Sequence, residues 1–387
     1  MRGGIISGAD TQRLVDNMFP ESTLPIKIDD LYEHLVKERV IFPSSVKRKR
    51  WLSWPVWGNT RNGETERQLA SFLDNLGAVV GKAINHSRPR RRFTARYSSR
   101  SPVYEKDGKV DMYRKPDVIA MNETLYEVTD GVDIGWIGVD LVVELKTSAK
   151  TLAEFLKSLG QDLGDRAFLI YEAQDGRRFV VFLSFLDTKF VMSVYDRGIM
   201  IHTSPLDIQK TEDIKLFLRI FIALTFGSDA SIGRDPTIKY LPNGLHTLRV
   251  SPNGPEYEII GVAWKNLMLQ GRATVCWYVR REGEIHVVKS SWGVTLREPS
   301  EEWFLKKANE CGVQGVPEVL EMGDIYVDGK LDSTDSNCGY YGTRTVDRTH
   351  RRILFKECAV PLWYFASLRE LYKVFTDGLE SEFSAHM

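Results

Sequence analysis

The sequence predicts a mixed α/β and α+β fold in two parts: a mixed sheet flanked by helices, then an antiparallel sheet with one helix. The chain has 387 residues, which is too many for one ordinary hydrophobic core. Helix and strand patterns alternate in the first half, and two Pro-Asn-Gly turns lie around residue 250. We therefore predict a helical segment at 1–60, an α/β domain at 61–250 and a second domain at 251–387.

The composition is that of a soluble globular protein with no global excess of charge. Lys plus Arg and Asp plus Glu both number 52, so nucleic acid would have to be bound by a local patch. The N-terminus lacks the apolar core of a signal peptide, and the most apolar run, FLRIFIALTF, is too short for a bilayer. We expect an intracellular protein, cytoplasmic or nuclear, with no membrane contact. Neither a disulfide framework nor a zinc knuckle is indicated by the four widely spaced cysteines, Cys276, Cys311, Cys338 and Cys358.

Helical patterns come first along the chain. Short ones occur within residues 1–60, and apolar residues at helical spacing from Leu69 to Leu76 predict a longer amphipathic helix. The segment Arg88–Arg100 then holds six arginines with little periodicity, which predicts a mobile basic loop. Such a loop either contacts the phosphates of a nucleic acid or is simply a solvated insert.

Strands and helices alternate from Asp117 onward. PDVIAM and IGVDLVVELK are typical of strands, and TLAEFLKSLGQDLGDRAFLIYEA of a helix. RRFVVFLSF and KFVMSVYD predict a strand pair that turns at Asp-Thr. DIKLFLRIFIALTFG predicts a further helix that ends at Gly227. This order favours a sheet with crossover connections.

The second predicted domain begins as a meander. IIGVAWKNLML, ATVCWYVRRE and EIHVVKSSW are three short strand patterns with tight turns. A helix follows, with Ser300 as its N-cap and Gly312 as its stop.

Acidic residues and a lysine accompany two of the predicted strands. Asp117 and Glu144 are candidate catalytic residues and ligands for Mg²⁺ or Mn²⁺, which prefer carboxylate oxygens. Lys146 shares a strand face with Glu144 and could stabilise charge on phosphorus. These residues resemble the PD-(D/E)XK nuclease superfamily. Glu66 could add a further metal ligand or a base, and Gln161 lies where some members of that superfamily carry a helix glutamine. The alternative is that Asp117 caps a turn, Glu144 is ion-paired and no metal binds.

The meander also carries the parts of a nucleotide-binding lobe. Gly271 lies in the first turn, Lys289 near the end of the third strand, and Glu301 at the start of the helix. In a protein kinase such a lysine holds the ATP phosphates and pairs with a helix glutamate. Ala273 stands where close approach to phosphates would favour glycine.

Longer stretches resemble one family specifically. FVVFLSFLDTKFVMSVYDRGIMIHTSPLDI with GRDPTI, and VVKSSW with GVQGVPEVLEMGDIYV and THRRILFKECAVPLWYFASLRELYKVFTDGLE, are similar to the fungal-type protein kinase family of mushroom-forming fungi. The resemblance extends from about residue 60 onward. It implies a PD-(D/E)XK-like domain, a kinase N-lobe and the start of a C-lobe, with phosphoryl transfer from ATP with Mg²⁺ to Ser or Thr.

The departures from the kinase pattern predict an inactive lobe, or pseudokinase. No HRD-type loop or Asp-Phe-Gly follows Lys289, and His350-Arg351-Arg352 has arginine in place of the catalytic base. The chain ends at Met387, before the catalytic loop that the resemblance implies, so we expect it to be truncated, with ATP binding no tighter than millimolar. Lys289 is then either a structural ion-pair residue or a phosphate contact. Two other functions stay open: a metal-dependent nuclease using Asp117, Glu144 and Lys146, and an inert scaffold that binds a protein partner through the incomplete lobe.

Overall fold

The computed structural model describes residues 4–43, 50–57, 63–86, 88–102, 114–128, 134–146, 151–240, 245–266, 268–297, 299–339, 346–359 and 364–386. The chain divides into two compact units. Unit 1 comprises Met1–Asp235 with Asn337–Thr345, and unit 2 comprises Pro236–Ser336 with Val346–Met387. The proposed boundaries at residues 60 and 250 stay predictions.

Unit 1 is a mixed sheet with helices, as the sequence predicted for this half of the chain. Its strands are β1 (Gly4–Ala9), β2 (Arg91–Thr94), β3 (Val118–Asn122), β4 (Leu141–Leu145), β5 (Val180–Leu186), β6 (Lys189–Tyr195), β7 (Ile199–Thr203) and β8 (Leu206–Asp207). They run in the order β1-β7-β6-β5-β4-β3-β2, with β8 paired to β6; the pairs β1–β7 and β4–β5 are parallel and the others antiparallel. The helices are α1 (Thr11–Met18), α2 (Ile28–Lys37), α3 (Glu64–Ala83), α4 (Glu123–Val128), α5 (Leu152–Ala173) and α6 (Thr211–Phe226).

Local sequence accounts for the ends of these elements. The predicted hairpin of β5 and β6 turns at Asp187, whose φ of 49° suits a two-residue turn. Helix α5 begins with a capping box, because Thr151 and Glu154 exchange side-chain and main-chain hydrogen bonds. Helix α6 ends at Phe226 and is capped by Gly227, where a Cβ atom would lie 2.1 Å from the Ala223 carbonyl oxygen. Only glycine fits there.

The prediction of a mobile basic loop at Arg88–Arg100 is wrong over its central part. Residues Arg91–Thr94 form β2, which pairs with β3. Arg91 is buried, and its guanidinium donates to the carbonyl oxygens of Leu224 and Gly227 and pairs with Asp140 at 3.3 Å, contacts that offset the cost of burying the charge. Arg91 therefore supplies hydrogen-bond donors to carbonyl oxygens at the end of α6. A count of charges in the sequence does not reveal this role. Nucleic-acid binding by the segment stays a prediction.

Unit 2 is an antiparallel sheet with one helix against it, and the α+β class is confirmed. The strands are β9 (Ile238–Tyr240), β10 (His246–Arg249), β11 (Glu256–Lys265), β12 (Val275–Arg281), β13 (Glu284–Val294), β14 (Val319–Asp324), β15 (Tyr326–Val327), β16 (Lys330–Leu331) and β17 (Arg348–Phe355). The order in the main sheet is β14-β17-β13-β12-β11-β10-β9, so β17, which carries His350-Arg351-Arg352, lies between β13 and β14. The helices of unit 2 are α7 (Glu301–Glu310) and α9 (Leu368–His386), and the division between the units falls within α8 (Thr334–Cys338).

One face of this sheet forms a small core. Trp277 and Val279 of β12 are buried there with Val288 of β13 and Leu354 of β17. The alternate residues of the same strands lie on the opposite face, where α7 contributes Glu301. Among the residues that the structure describes, no helix combines the length and apolar character needed to cross a membrane.

Candidate functional site

Lys289 and Glu301 form an ion pair in unit 2. Lys289 lies on β13 and donates to one carboxylate oxygen of Glu301, the first residue of α7, while Arg272 donates to the other oxygen. Burial by itself would raise the pKa of Glu301, but the hydrogen bonds and charges of Lys289 and Arg272 outweigh it and lower that pKa. The carboxylate is thus held ionised between two cations.

The local backbone places these three side chains. Ser300 caps α7 by accepting from the Trp303 amide at 3.2 Å, so Glu301 lies in the first turn of the helix. Arg272 lies in the turn before β12, and its carbonyl oxygen accepts from the Trp292 amide at 2.7 Å. Gly271 has a φ of 110°, a conformation that favours glycine. The sequence did not single out Arg272, since no pattern marks one arginine in a turn.

An open, largely apolar face extends from Lys289 across the sheet. Cys276 lies directly opposite Lys289, and Trp264 lies directly opposite Cys276, so the three share one face. Tyr278 and Val287 form the next row on that face. Trp264 is 44% exposed. The face therefore offers flat apolar surface that ends at a fixed ammonium group.

The second predicted arrangement lies in unit 1. Val118 of β3 pairs with Val143 of β4, which brings Asp117 beside Glu144. Asp117 accepts from the Leu145 amide at 2.7 Å. Glu144 is 1% exposed. The structure therefore brings the two predicted acids together at one end of a strand pair.

Both carboxyl groups are harder to ionise than usual. Burial is the main cause, and it raises the pKa of Asp117 to about 6 and that of Glu144 to about 8. The charge of Asp117 raises the pKa of Glu144 further, whereas Arg166 and Lys146 oppose the rise. Glu66 is half-buried near the site, and its charge contributes to the raised pKa of Asp117.

Two residues of α5 complete this cluster, and the sequence analysis missed them in this role. Lys146 donates to Asp162 at 2.5 Å and lies 3.9 Å from Glu144. Arg166 lies one helical turn beyond Asp162, with its Nε atom 2.7 Å from Glu144 Oε1, although that contact lacks hydrogen-bond geometry. The i, i+4 spacing of Asp162 and Arg166 on a predicted helix was the available signal.

A divalent ion does not fit the cluster in this arrangement. Arg166 and Lys146 already place positive charge against Glu144, and no group of three or more His, Cys, Asp or Glu that could hold a metal occurs within the described ranges. The side chain of Gln161 lies outside the described residues. Nuclease activity through Asp117, Glu144 and Lys146 stays a prediction.

Two short segments quoted for the family resemblance form tight turns in unit 1. The carboxylate of Asp196 accepts from the Gly198 and Ile199 amides at 2.7 and 2.8 Å. In the Gly-Arg-Asp-Pro-Thr segment, Gly233 has a φ of 89°, and a Cβ atom there would lie 2.0 Å from the Phe179 carbonyl oxygen. Arg234 pairs with the buried Asp140 at 2.9 Å. In these segments the Gly233 position therefore requires glycine, and Arg234 offsets the buried charge of Asp140.

Comparison with known proteins identifies the family of the chain. A family model described as fungal protein kinase matches residues 115–340, which is more than half of the chain. The match includes the Asp196 and Gly233 turns and both members of the Lys289–Glu301 pair. No curated protein and no solved structure matches the chain. The chain belongs to the fungal protein kinase family, as its resemblance implied.

Proposed function

We propose that the open face beside Lys289 binds a nucleoside triphosphate. The phosphates would contact Lys289 and Arg272, and the base would lie on the apolar surface that includes Trp264. The observation that carries the proposal is the ion pair of Lys289 with Glu301 at the edge of that surface. This is the arrangement by which protein kinases hold ATP phosphates.

The pair suits this task because phosphate binding needs a cation whose position is already fixed. A free lysine loses side-chain entropy when it binds a phosphate, whereas Glu301 has already restricted Lys289. Arg272 adds a planar fork that can donate two hydrogen bonds to phosphate oxygens. A flat aromatic side chain such as Trp264 supports stacking of a base.

We propose weak affinity, because the face covers only one side of a base. Ligand sites that bind tightly usually enclose most of the ligand surface. A millimolar dissociation constant corresponds to about −4 kcal/mol, which two cations and one stacked ring can supply. The 387 residues contain no HRD-type base and no Asp-Phe-Gly after Lys289. We therefore propose that these residues bind a nucleotide without transferring its phosphoryl group.

Ligand-observed NMR with ADP and ATP, each with and without Mg²⁺, tests the proposal at millimolar concentrations. The wild-type chain is expected to saturate, and Lys289→Met to lose the signal. Lys356→Met is the matched control, because Lys356 pairs with Glu318 at the surface of the same unit. Equal binding by wild type and Lys289→Met, or no binding by either, would overturn the proposal. The second outcome would favour the scaffold function.

A further inference from the structure

A cavity of about 320 Å³ lies beside the first turns of α7 in unit 2. Four guanidinium groups and two carboxylates line it, an excess of two positive charges. The charged lining residues are Arg272, Arg297, Arg348, Arg351, Glu301 and Glu302. We propose that this cavity binds a phosphorylated side chain of a partner peptide.

The charge of the cavity matches that of its proposed occupant. A phosphoryl group on a side chain carries about −1.5 to −2 charges near pH 7 and three strong acceptor oxygens. Arginine is the residue that best matches such oxygens, because its fork donates two parallel hydrogen bonds. The carboxylate of an aspartate or glutamate side chain carries one negative charge and would neutralise only half of the excess positive charge.

The arginines differ in how firmly they are held. Arg351 donates to Asp324 at 2.8 Å and to Glu302 at 3.4 Å, so its position is fixed by two acids. Arg272 is held by Glu301. Arg297 is exposed, and among the described residues its guanidinium has no hydrogen bond or ion pair. Its donors are therefore available to an incoming phosphoryl group without breaking an existing contact.

The uncharged part of the lining favours a peptide over free phosphate. Val294, Pro299, Phe304 and Leu305 give the cavity an apolar wall, and Phe304 is 55% exposed. Apolar side chains next to the phosphorylated residue would cover that wall, which inorganic phosphate cannot do. The cavity includes Arg272 and Glu301 but not Lys289 or Trp264. The two proposed sites therefore share Arg272, but only the nucleotide site needs Lys289 and Trp264.

Fluorescence anisotropy with a labelled Leu-phosphoserine-Leu peptide tests the site on the full chain. The phosphopeptide is expected to bind saturably, and Arg297→Gln and Arg272→Gln are each expected to weaken it about tenfold, since each removes a charge-assisted contact. Arg281→Gln is the matched control, because Arg281 pairs with Glu282 outside the cavity. It should stay within about twofold of wild type. Melting temperatures without ligand show whether each variant is folded.

Four outcomes would overturn the inference. They are the absence of saturable binding, equal affinity of wild type and Arg297→Gln, equal affinity for the unphosphorylated peptide, and inorganic phosphate competing as tightly as the phosphopeptide itself. Trp264→Ala removes the proposed surface for the base and lies outside the cavity, so it is expected to leave phosphopeptide affinity within about twofold while it weakens nucleotide binding. Failure of one proposal is thereby distinguishable from failure of the other.

Discussion

The ammonium group of Lys289 in β13 donates a hydrogen bond to the carboxylate of Glu301 in the first turn of α7. The side chains are 17% and 32% exposed, respectively. This contact joins the helix to the centre of the sheet, because β13 lies between β12 and β17. The same carboxylate also holds Arg272 in the turn before β12.

We expect the Lys289–Glu301 pair to stabilise unit 2 only modestly. A double-mutant cycle with Lys289→Met and Glu301→Gln, measured by urea unfolding, should give a coupling energy of about 1 kcal/mol, as expected for a partly exposed pair. The exposed pair of Arg280 with Glu258 is the control and should give less than about 0.5 kcal/mol. A coupling energy near zero for Lys289 and Glu301 would contradict a net stabilising effect of the pair.

The sequence identified contacts between neighbours along the chain better than contacts between distant segments. Lys289 and Glu301 are only twelve residues apart. A strand pattern and a helix cap located each residue, and the protein kinase pattern predicted that the two side chains pair. The insertion of β17 between β13 and β14 has no local signal, because strand order depends on pairing across long separations. Arg91 shows the same limit, since its carbonyl partners at the C-terminal end of α6, Leu224 and Gly227, are more than 130 residues away in the sequence.

The stability of unit 1 should fall as the pH rises, because Glu144 is buried. Its pKa is about 8 in the folded chain against an ordinary 4.5. A carboxyl group with a raised pKa binds more protons when folded, so it stabilises the fold below its ordinary pKa, and this stability is lost as the pH rises towards 8. We expect the free energy of unfolding to drop by on the order of 3 kcal/mol between pH 5 and pH 8.5.

Urea unfolding of Glu144→Gln at both pH values tests this explanation. The amide cannot ionise, so most of the drop should disappear, leaving a smaller one from Asp117, whose pKa is about 6. Glu127→Gln is the control, since Glu127 is half exposed and pairs with Arg88 at the surface. It should keep the wild-type dependence. An unchanged pH dependence in Glu144→Gln would exclude Glu144 as its source.

Arg91 should contribute to stability through its geometry as well as its charge. Its guanidinium donates to two carbonyl oxygens at the end of α6 and to Asp229, a set that the point charge of lysine cannot reproduce. Arg91→Lys should lower the free energy of unfolding by roughly 2 kcal/mol. Arg88→Lys, at an exposed position in the same basic segment, should change it by less than about 0.5 kcal/mol. Equal effects of the two substitutions on the free energy of unfolding would instead favour the prediction that this segment is a mobile basic loop.

The thiol of Cys276 reports on the proposed nucleotide face, because it lies directly opposite Lys289. Burial raises the pKa of Cys276, Lys289 partly opposes that rise, and Glu301 adds to it. Only the thiolate reacts with maleimide, so Cys276 should be labelled more slowly than the exposed Cys311. Saturating ATP should slow the labelling of Cys276 several-fold further and leave Cys311 unchanged.

Lys289→Met separates shielding from electrostatics in that experiment. Without the ammonium group the pKa of Cys276 should rise, because Lys289 is the group that lowers it, so labelling without nucleotide should become slower. The additional protection by ATP should disappear, because the phosphates have lost their cation. Mass spectrometry of labelled peptides gives the rate at each cysteine. Protection by ATP that persists in Lys289→Met would mean that the nucleotide covers Cys276 without contacting Lys289, or binds elsewhere.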